Sequence, residues 1–179
     1  VERKFNSPND LAIAADGTIF FTDPRYGGDE PRELSMEGVF RVSPDGKVQL
    51  ATRDVQKPNG IIVVPDGKRA YLADNNPGGN RHLVEFRVQP DGSLADKKVL
   101  FDFGQGRGID GMCLDTDGNI YATAGTGDRA GIHIFDSAGK PLAFIKTPGD
   151  PTNCVFGRGE DGSTLYITAG GPREPGKPN

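Results

Sequence analysis

The sequence has no long apolar stretch and no concentration of positive charge. Hydrophobic residues make up 35% of the 179 residues, and no apolar run approaches the ~20 residues that a membrane-spanning helix needs. Lys and Arg number 21 against 25 Asp and Glu, they are scattered, and the formal net charge is −4. We therefore expect neither a nucleic acid nor a membrane as partner.

The sequence also shows no signal peptide, and it does not begin with Met, so a processed or truncated N-terminus is compatible with it. The sequence is compatible with either the cytoplasm or the periplasm as the compartment of the protein. Cysteine is scarce: Cys113 and Cys154 have neither CxxC nor metal-ligand spacing. We expect two buried free thiols rather than a disulfide.

Several familiar active-site patterns are missing. The sequence contains no GxSxG motif of a serine hydrolase and only two histidines. His133 lies in an alternating strand pattern, which favours a structural role. His82 follows a Gly-Gly-Asn-Arg loop, and contact with a functional site is the less favoured interpretation of that position.

Turn residues, in contrast, are abundant, with 26 Gly and 14 Pro spread along the chain. Four segments resemble one another, and each begins near an Asn or Asp, runs through a short apolar strand, turns at Asp-Gly and continues as a second strand. These segments cover residues 7–23, 57–74, 108–123 and 151–168, and further hairpins lie between them at 38–50, 83–94 and 131–143.

Two hairpins in each period give four strands per ~40–50 residues, which is typical of a β-propeller blade. No stretch shows a sustained 3.6-residue apolar period. The sequence therefore predicts an all-β fold, a β-propeller, of which this chain carries about four blades. The Asp-Gly pairs inside the hairpins are interpreted as tight turns.

The residues that begin the repeats are Asn9, Asn59, Asp110 and Asn153. In a propeller the innermost strand of each blade lines the channel, so these positions are expected to converge at one channel mouth. Asn9, Asn59 and Asp110 would offer two amide oxygens and one carboxylate, which suit a hard cation such as Ca²⁺. The alternative, that each residue only caps a turn through its own backbone, stays open.

A long irregular segment follows the first hairpin and extends to Glu37. Long loops of this kind often cover a binding site. Arg25 and Tyr26, in "DPRYGG", are therefore candidate substrate contacts.

At these motifs the sequence resembles the gluconolactonase branch of the SMP-30/gluconolactonase/luciferin-regenerating family. The resemblance rests on "NSPNDLAIAADGTIFFTDPRYGG", "GVFRVSPDGKV", "KPNGIIVVPDGKRAYLADN", "GIDGMCLDTDGNIYAT", "GIHIFDSAGKPLAFI" and "PTNCVFGRGEDGSTLYITA", and it covers nearly all of residues 5–169. It implies a six-bladed propeller with one divalent cation in its channel. It also implies hydrolysis of a sugar lactone or a similar cyclic ester.

The resemblance implies a role for three residues. Asn59 of "KPNG" would be a metal ligand, Asp110 of "DGM" a metal ligand and the proposed catalytic base, and Asn9 of "SPND" would lie near metal and substrate. Ca²⁺ is the first choice of cation, with Zn²⁺, Mg²⁺ and Mn²⁺ as alternatives. The small-molecule partner would be a lactone.

The sequence also departs from the family pattern. The Glu ligand of an "EGP"-type motif is not found, because Glu37-Gly38 begins a different hairpin and Glu2 stands in another context. The tail "GGPREPGKPN" after Ala169 departs from the usual closing strand. We therefore expect residues 1–179 to form a single, partial propeller domain that lacks one or more N-terminal blades and the closing segment.

These features predict metal-dependent hydrolysis of a sugar lactone, with the cation polarising the carbonyl and Asp110 as general base. One alternative is another lactonase, arylesterase or phosphotriesterase reaction at the same site. A second alternative is a non-catalytic propeller that binds a ligand or a protein partner. The carboxylate at Asp110 favours the enzyme, whereas the missing Glu favours the non-catalytic protein.

Overall fold

A computed structural model describes residues 3–171; Glu2 and residues 172–179 of the predicted non-standard tail lie outside this range. The regular elements of the described chain are β-strands, with short 3₁₀ turns at Gly127–Arg129 and Gly159–Asp161. The strands are β1 (Leu11–Ile13), β2 (Ile19–Asp23), β3 (Gly38–Val42), β4 (Val48–Thr52), β5 (Pro58–Val63), β6 (Arg69–Asn75), β7 (Arg81–Val88), β8 (Leu94–Asp102), β9 (Met112–Leu114), β10 (Ile120–Ala124), β11 (Gly131–Phe135), β12 (Pro141–Lys146), β13 (Pro151–Phe156) and β14 (Leu165–Ala169).

The strands form four antiparallel sheets in chain order. Sheet 1 contains β1–β4, sheet 2 contains β5–β8, sheet 3 contains β9–β12, and sheet 4 contains β13 and β14. Each of the first three sheets is an up-and-down series of neighbouring strands, as expected for short strands joined by tight turns. The prediction of an all-β fold with two hairpins per repeat is confirmed, and none of these sheets closes on itself.

The predicted Asp-Gly turns join the first two strands of the first three sheets. Gly17, Gly67 and Gly118 have φ values of +86°, +70° and +81°, in the left-handed region where a glycine has no Cβ penalty. Asp16 accepts a hydrogen bond of 2.9 Å from the Thr18 N–H, and Asp66 accepts one of 2.9 Å from the Lys68 N–H. These turns therefore fix which residues of β1, β5 and β9 face each core.

Sheets pack face to face with their chain neighbours, and a separate hydrophobic core fills each gap. Phe20 and Val39 of sheet 1 pack with Leu72 and Phe86 of sheet 2. The other side of sheet 2 packs against sheet 3, and Ile132 and Ile134 of sheet 3 pack with sheet 4. Strand β6 shows this arrangement most clearly, because alternate side chains point to the two sides of a strand and both sides are covered.

The outer ends of this array expose apolar side chains. Leu11 and Ile13 on β1 are 57% and 65% exposed, and Val155 and Tyr166 in sheet 4 are 59% and 52% exposed. These side chains alternate with buried or half-buried ones, as they would in strands that pack on both sides. Among residues 3–171, no helix is long and apolar enough to cross a membrane.

Candidate active site at the starts of the inner strands

The first strands of the four sheets, β1, β5, β9 and β13, lie next to one another and are called here the inner strands. Contacts join β1 to β5, β5 to β9 and β9 to β13. Because the repeats are equivalent, the residues that precede or begin these strands lie at the same end of the array. The four residues that begin the repeats therefore lie on neighbouring segments; they are Asn9, Asn59, Asp110 and Asn153.

Hydrogen bonds connect each of these segments to the next. The Ile61 N–H donates to the Asp10 carboxylate (3.1 Å), which joins sheet 1 to sheet 2. The Gly60 N–H donates to the Asp110 carbonyl oxygen (2.8 Å), and the Gly111 N–H donates to the Thr152 carbonyl oxygen (2.9 Å). The starts of the inner strands are thus held at fixed distances by backbone and carboxylate contacts.

Two glycines allow this close approach. A Cβ on Gly60 would lie 2.4 Å from the Asp110 carbonyl oxygen, and a Cβ on Gly111 would lie 2.4 Å from the Asn153 side chain. No real Cβ makes contacts that short. The obstacle at Gly60 is backbone, whereas at Gly111 it is the Asn153 side chain, which would have to move. This explains why Asp110-Gly111 occurs where no hairpin turn is required: Gly111 makes room for the next repeat.

Buried threonines hold the start of an inner strand in sheets 1 and 3. Thr22 Oγ1 accepts from the Asp10 N–H (3.1 Å). Thr123 Oγ1 accepts from the Gly111 N–H (2.9 Å) and donates to the Gly111 carbonyl oxygen (2.8 Å). Thr22 and Thr123 are fully buried on the second strand of their sheets, so these bonds satisfy backbone groups that water does not reach.

Two fully buried carboxylates fix the segments just before the inner strands. Asp23 accepts from the Asn6 and Ser7 N–H groups at 2.9 and 2.8 Å. Asp74 occupies the equivalent place in sheet 2 and accepts from the N–H groups of Gln56 and Lys57, both at 2.9 Å. These two aspartates therefore position the chain that leads to Asn9 and Asn59.

Asp110 is the carboxylate at the boundary of sheets 2 and 3, and it is only partly accessible. Burial raises the pKa of this carboxyl above its ordinary value, and the Arg107 guanidinium and the Asn59 amide oppose that rise. Arg107 Nη2 lies 2.5 Å from Asp110 Oδ2, and Arg107 also donates to the Pro151 carbonyl oxygen (2.8 Å). Arg107 thus holds one carboxylate oxygen and ties it to the start of β13.

Asn59 and Tyr26 lie beside Asp110. Asn59 is buried, and its amide acts to lower the pKa of both the Asp110 carboxyl and the Tyr26 phenol. Burial raises the pKa of Tyr26, an effect that the Asn59 amide opposes and the charge of Asp110 reinforces. The Tyr26 hydroxyl donates to the Asn75 carbonyl oxygen (3.2 Å), which directs it towards sheet 2.

A half-buried ion pair between Lys57 and Glu37 attaches the loop that carries Tyr26 to sheet 2. Lys57 Nζ lies 2.9 Å from Glu37 Oε2, donates to the Arg25 carbonyl oxygen, and lies 5.1 Å from the centre of the Tyr26 ring. Glu37 also accepts from the Arg25 N–H (3.0 Å) and pairs with Arg32 (3.2 Å). Because its carboxylate oxygens are engaged in these contacts, Glu37 does not take the place of the missing family Glu.

The remaining predicted site residues, Asn9 and Arg25, make contacts within sheet 1 and the loop that follows β2. Asn9 is exposed, and its backbone N–H donates to the Thr22 carbonyl oxygen (2.9 Å). The Arg25 side chain bonds the carbonyl oxygens of Gly27 and Gly28 and pairs with Glu30 at 3.0 Å, so it stabilises its own loop. The structure therefore brings together Asn59, Asp110 and Tyr26.

The donor atoms around Asp110 fit a hard cation in kind. Asn59 offers an amide oxygen and Asp110 a carboxylate, both partly or fully withdrawn from water. These are oxygen ligands of the type that Ca²⁺ takes. Burial raises the pKa of the nearby Asp10 carboxyl, and the charge of Asp110 adds to that rise. Among residues 3–171, no group of three or more His, Cys, Asp or Glu side chains could hold an ion, so the candidate set depends on amide oxygens.

Sequence reasoning missed four residues of this site. Asp10 and Arg107 contact neighbouring repeats, and Glu37 and Lys57 hold the Tyr26 loop. Asp10 directly follows Asn9 and Lys57 directly precedes "PNG", so the repeat alignment contained a signal for both. Glu37 and Arg107 stand in irregular segments, where no periodicity indicates what a side chain faces.

Comparison with known proteins shows to which family the chain belongs. Residues 1–171 match the SMP-30/Gluconolactonase/LRE-like region. The chain belongs to this family. A gluconolactonase of Zymomonas mobilis is 35% identical over 181 residues, which cover 93% of this chain and 49% of the relative. Regucalcin of Danio rerio is 38% identical over 136 residues, which cover 73% of this chain and 44% of the relative.

A solved family structure shows the same arrangement of strands. The gluconolactonase of Xanthomonas campestris superposes with a TM-score of 0.81 at 35% identity, over 95% of this chain and 56% of that one. The chain thus spans about half the length of these family members. The recognition of the family from the sequence is confirmed.

Proposed function

We propose that this family member belongs to a metal-dependent lactonase that hydrolyses a sugar lactone, with Asp110 as general base. The proposal is supported most by one observation: a half-buried carboxylate with a raised pKa lies beside the Asn59 amide and the Tyr26 phenol. A pKa shifted towards the working pH suits a general base. The names of the two gluconolactonases that the chain resembles support a lactone as substrate.

We infer that Asn59, Asp110 and Asn9 hold one divalent cation, with Ca²⁺ preferred and Zn²⁺, Mg²⁺ or Mn²⁺ as alternatives. When bound, the cation supplies Lewis acidity that polarises a carbonyl oxygen and increases the acidity of water. Asp110 accepts a proton from the attacking water. Tyr26, on the loop that Lys57 and Glu37 hold, would contact the substrate, as would Asn9 and Arg25 from the surrounding surface.

The four sheets are proposed to be blades of one propeller domain that includes residues 1–179 and is six-bladed in its complete form. Neighbouring sheets pack face to face in chain order, and their first strands lie side by side, as in the successive blades of a propeller. The exposed Leu11, Ile13, Val155 and Tyr166 on the outer sheets are consistent with further blades packing there.

Two alternatives remain as specific hypotheses. Another lactone, an aromatic ester or a phosphotriester would use the same carboxylate and cation. A non-catalytic propeller that binds a ligand or a protein is favoured by one observation, namely that Glu37 is engaged by Lys57 and Arg32 and leaves Asp110 as the only carboxylate of the proposed ligand set. The cytoplasm and the periplasm remain the two predicted compartments.

The test compares hydrolysis of gluconolactone, an aromatic ester and a long-chain acyl lactone, with each cation added to chelator-treated protein. Asp110→Asn keeps the shape of the side chain and removes the base, so turnover should fall by at least ~10²-fold. Asp117→Asn, in an exposed hairpin turn of the same sheet, is the matched control. Full activity of Asp110→Asn would refute the assignment of the base.

Cation binding is measured separately by calorimetry. Asn59→Ala should weaken binding, because it removes a buried amide oxygen from the proposed ligand set. Asn119→Ala is the control, since the Asn119 amide bonds Asp115 (2.8 Å) in a turn. If no cation binds and none of the three substrates is hydrolysed, the non-catalytic alternative is favoured.

A further inference from the structure

The two cysteines lie against each other across the boundary of sheets 3 and 4. Cys113 is on the inner strand β9 and Cys154 is on the inner strand β13, and their Sγ atoms are 3.6 Å apart. Both thiols are free, as the sequence predicts, although Cys113 is half-buried rather than buried. Residues 41 positions apart in the chain are thereby brought into direct contact.

The two sulfur atoms differ in access and in acidity. Both cysteines line an open cavity of about 560 Å³ between the inner strands, but Cys113 is half-buried whereas Cys154 is buried. The hydrogen bond with Cys154 lowers the pKa of the Cys113 thiol, and burial opposes that effect. The same pairing and burial raise the pKa of Cys154. Cys113 is therefore the sulfur that presents a thiolate to a reagent.

We propose that Cys113 and Cys154 are an oxidisable dithiol that closes to a disulfide between β9 and β13. With hydrogen peroxide as oxidant, the Cys113 thiolate attacks one oxygen, the O–O bond breaks, and Cys113 sulfenic acid and hydroxide form. The Cys154 sulfur then displaces the sulfenic hydroxyl, and its proton leaves with that group as water. In total two thiols and one peroxide give one disulfide and two waters.

The geometry requires only a small movement. A disulfide is ~2.05 Å long, so rotation of the side chains must bring the sulfur atoms closer than their present contact distance. The resulting bond would join sheet 3 to sheet 4, which contains only two strands in the described part of the chain. Because a cross-link restricts the unfolded chain, the oxidised protein should be more resistant to unfolding than the reduced one.

The experiment treats reduced, desalted protein with hydrogen peroxide and follows thiols, intact mass and thermal unfolding. We expect both thiols to disappear together, the monomer mass to fall by two hydrogen atoms, and a digest to contain a peptide that links β9 to β13. The unfolding temperature should rise by several degrees, and dithiothreitol should reverse every change. This outcome does not depend on the proposed lactonase activity.

Single variants separate the two roles. In Cys154→Ala, Cys113 should stop at oxygen-containing products and gain mass. In Cys113→Ser, Cys154 should react much more slowly with peroxide or a thiol probe. The proposal is overturned if wild-type protein gains oxygen without losing hydrogen, or if the disulfide forms only between two molecules. Both of these outcomes are measured on the wild-type protein, so the test remains valid even if a variant fails to fold.

Discussion

The backbone N–H of Gly60 donates a hydrogen bond of 2.8 Å to the carbonyl oxygen of Asp110. This bond crosses from sheet 2 to sheet 3 and links the residue after Asn59 to Asp110 itself. The distance between the Asn59 and Asp110 side chains is therefore set by the backbone of two neighbouring repeats. The packing of the sheets therefore positions this site, and its geometry depends on residues such as Gly60 that have no functional side chain.

Gly60→Ala should disturb both the fold and the site. The added Cβ would lie 2.4 Å from the Asp110 carbonyl oxygen, and backbone atoms must move to relieve the overlap. We expect a loss of about 1–3 kcal/mol in the free energy of unfolding, measured by urea denaturation, together with weaker cation binding. Gly78→Ala is the control, because a Cβ there meets nothing closer than 3.9 Å. Equal stability of the two variants would contradict the role given to Gly60.

Asp74→Ala should destabilise the start of β5. The Asp74 carboxylate is fully buried and accepts the Gln56 and Lys57 N–H groups, which would be left without partners. We expect a loss of about 3 kcal/mol in the free energy of unfolding. Asp54→Ala is the matched control, because Asp54 shares the partner Lys97 at 3.7 Å but is 72% exposed. Its loss should stay below about 1 kcal/mol, and a similar loss in both variants would show that the buried bonds contribute little.

The sequence predicts the strand pattern well because hairpin turns are local features. Asp16-Gly17 and Asp117-Gly118 determine where strands end, and the apolar alternation around them determines which side is buried. The sequence also identifies Asn59 and Asp110, because the repeat places them at equivalent points.

The rest of the site depends on contacts between segments that are distant in sequence. Glu37 binds Lys57 across 20 positions, and Arg107 reaches Pro151 across 44. No local pattern encodes these partners. Asp23 at the end of β2 and Asp74 in "LAD" of β6 occupy equivalent places in the quoted motifs. Their structural role is apparent only from the fold, where the N–H groups of Ser7 and Lys57 donate to their carboxylates.

Tyr26→Phe should separate positioning from stability. It removes the hydroxyl that donates to the Asn75 carbonyl oxygen (3.2 Å) and approaches Asn59, and it keeps the ring beneath Lys57. If the proposed lactonase reaction uses this hydroxyl, kcat/KM should fall by about tenfold, equivalent to one hydrogen bond. The unfolding temperature should change little. Tyr166→Phe is the control at a 52% exposed position, and equal kinetics in both variants would remove Tyr26 from the substrate site.

His133 should make the stability of the protein depend on pH. Its ring packs against Phe103 and Phe144 with ring centroids 5.4 and 4.8 Å away, and burial lowers the pKa of His133 below its usual value. The unfolded chain therefore binds a proton more readily than the folded one. The stabilisation is fully present above pH ~6.5 and is lost as the pH falls through the lower pKa of the folded protein.

The measurement is urea denaturation at a series of pH values between ~8 and ~5. His133→Phe keeps an aromatic ring between Phe103 and Phe144 and removes the titrating group, so its stability should fall less on acidification than that of the wild type. His82→Gln changes the other histidine of the chain, so a comparison of the two variants separates the contribution of His133 from that of His82. If His133→Phe shows the same decline as the wild type, the pH dependence arises from other groups and the effect assigned to His133 is wrong.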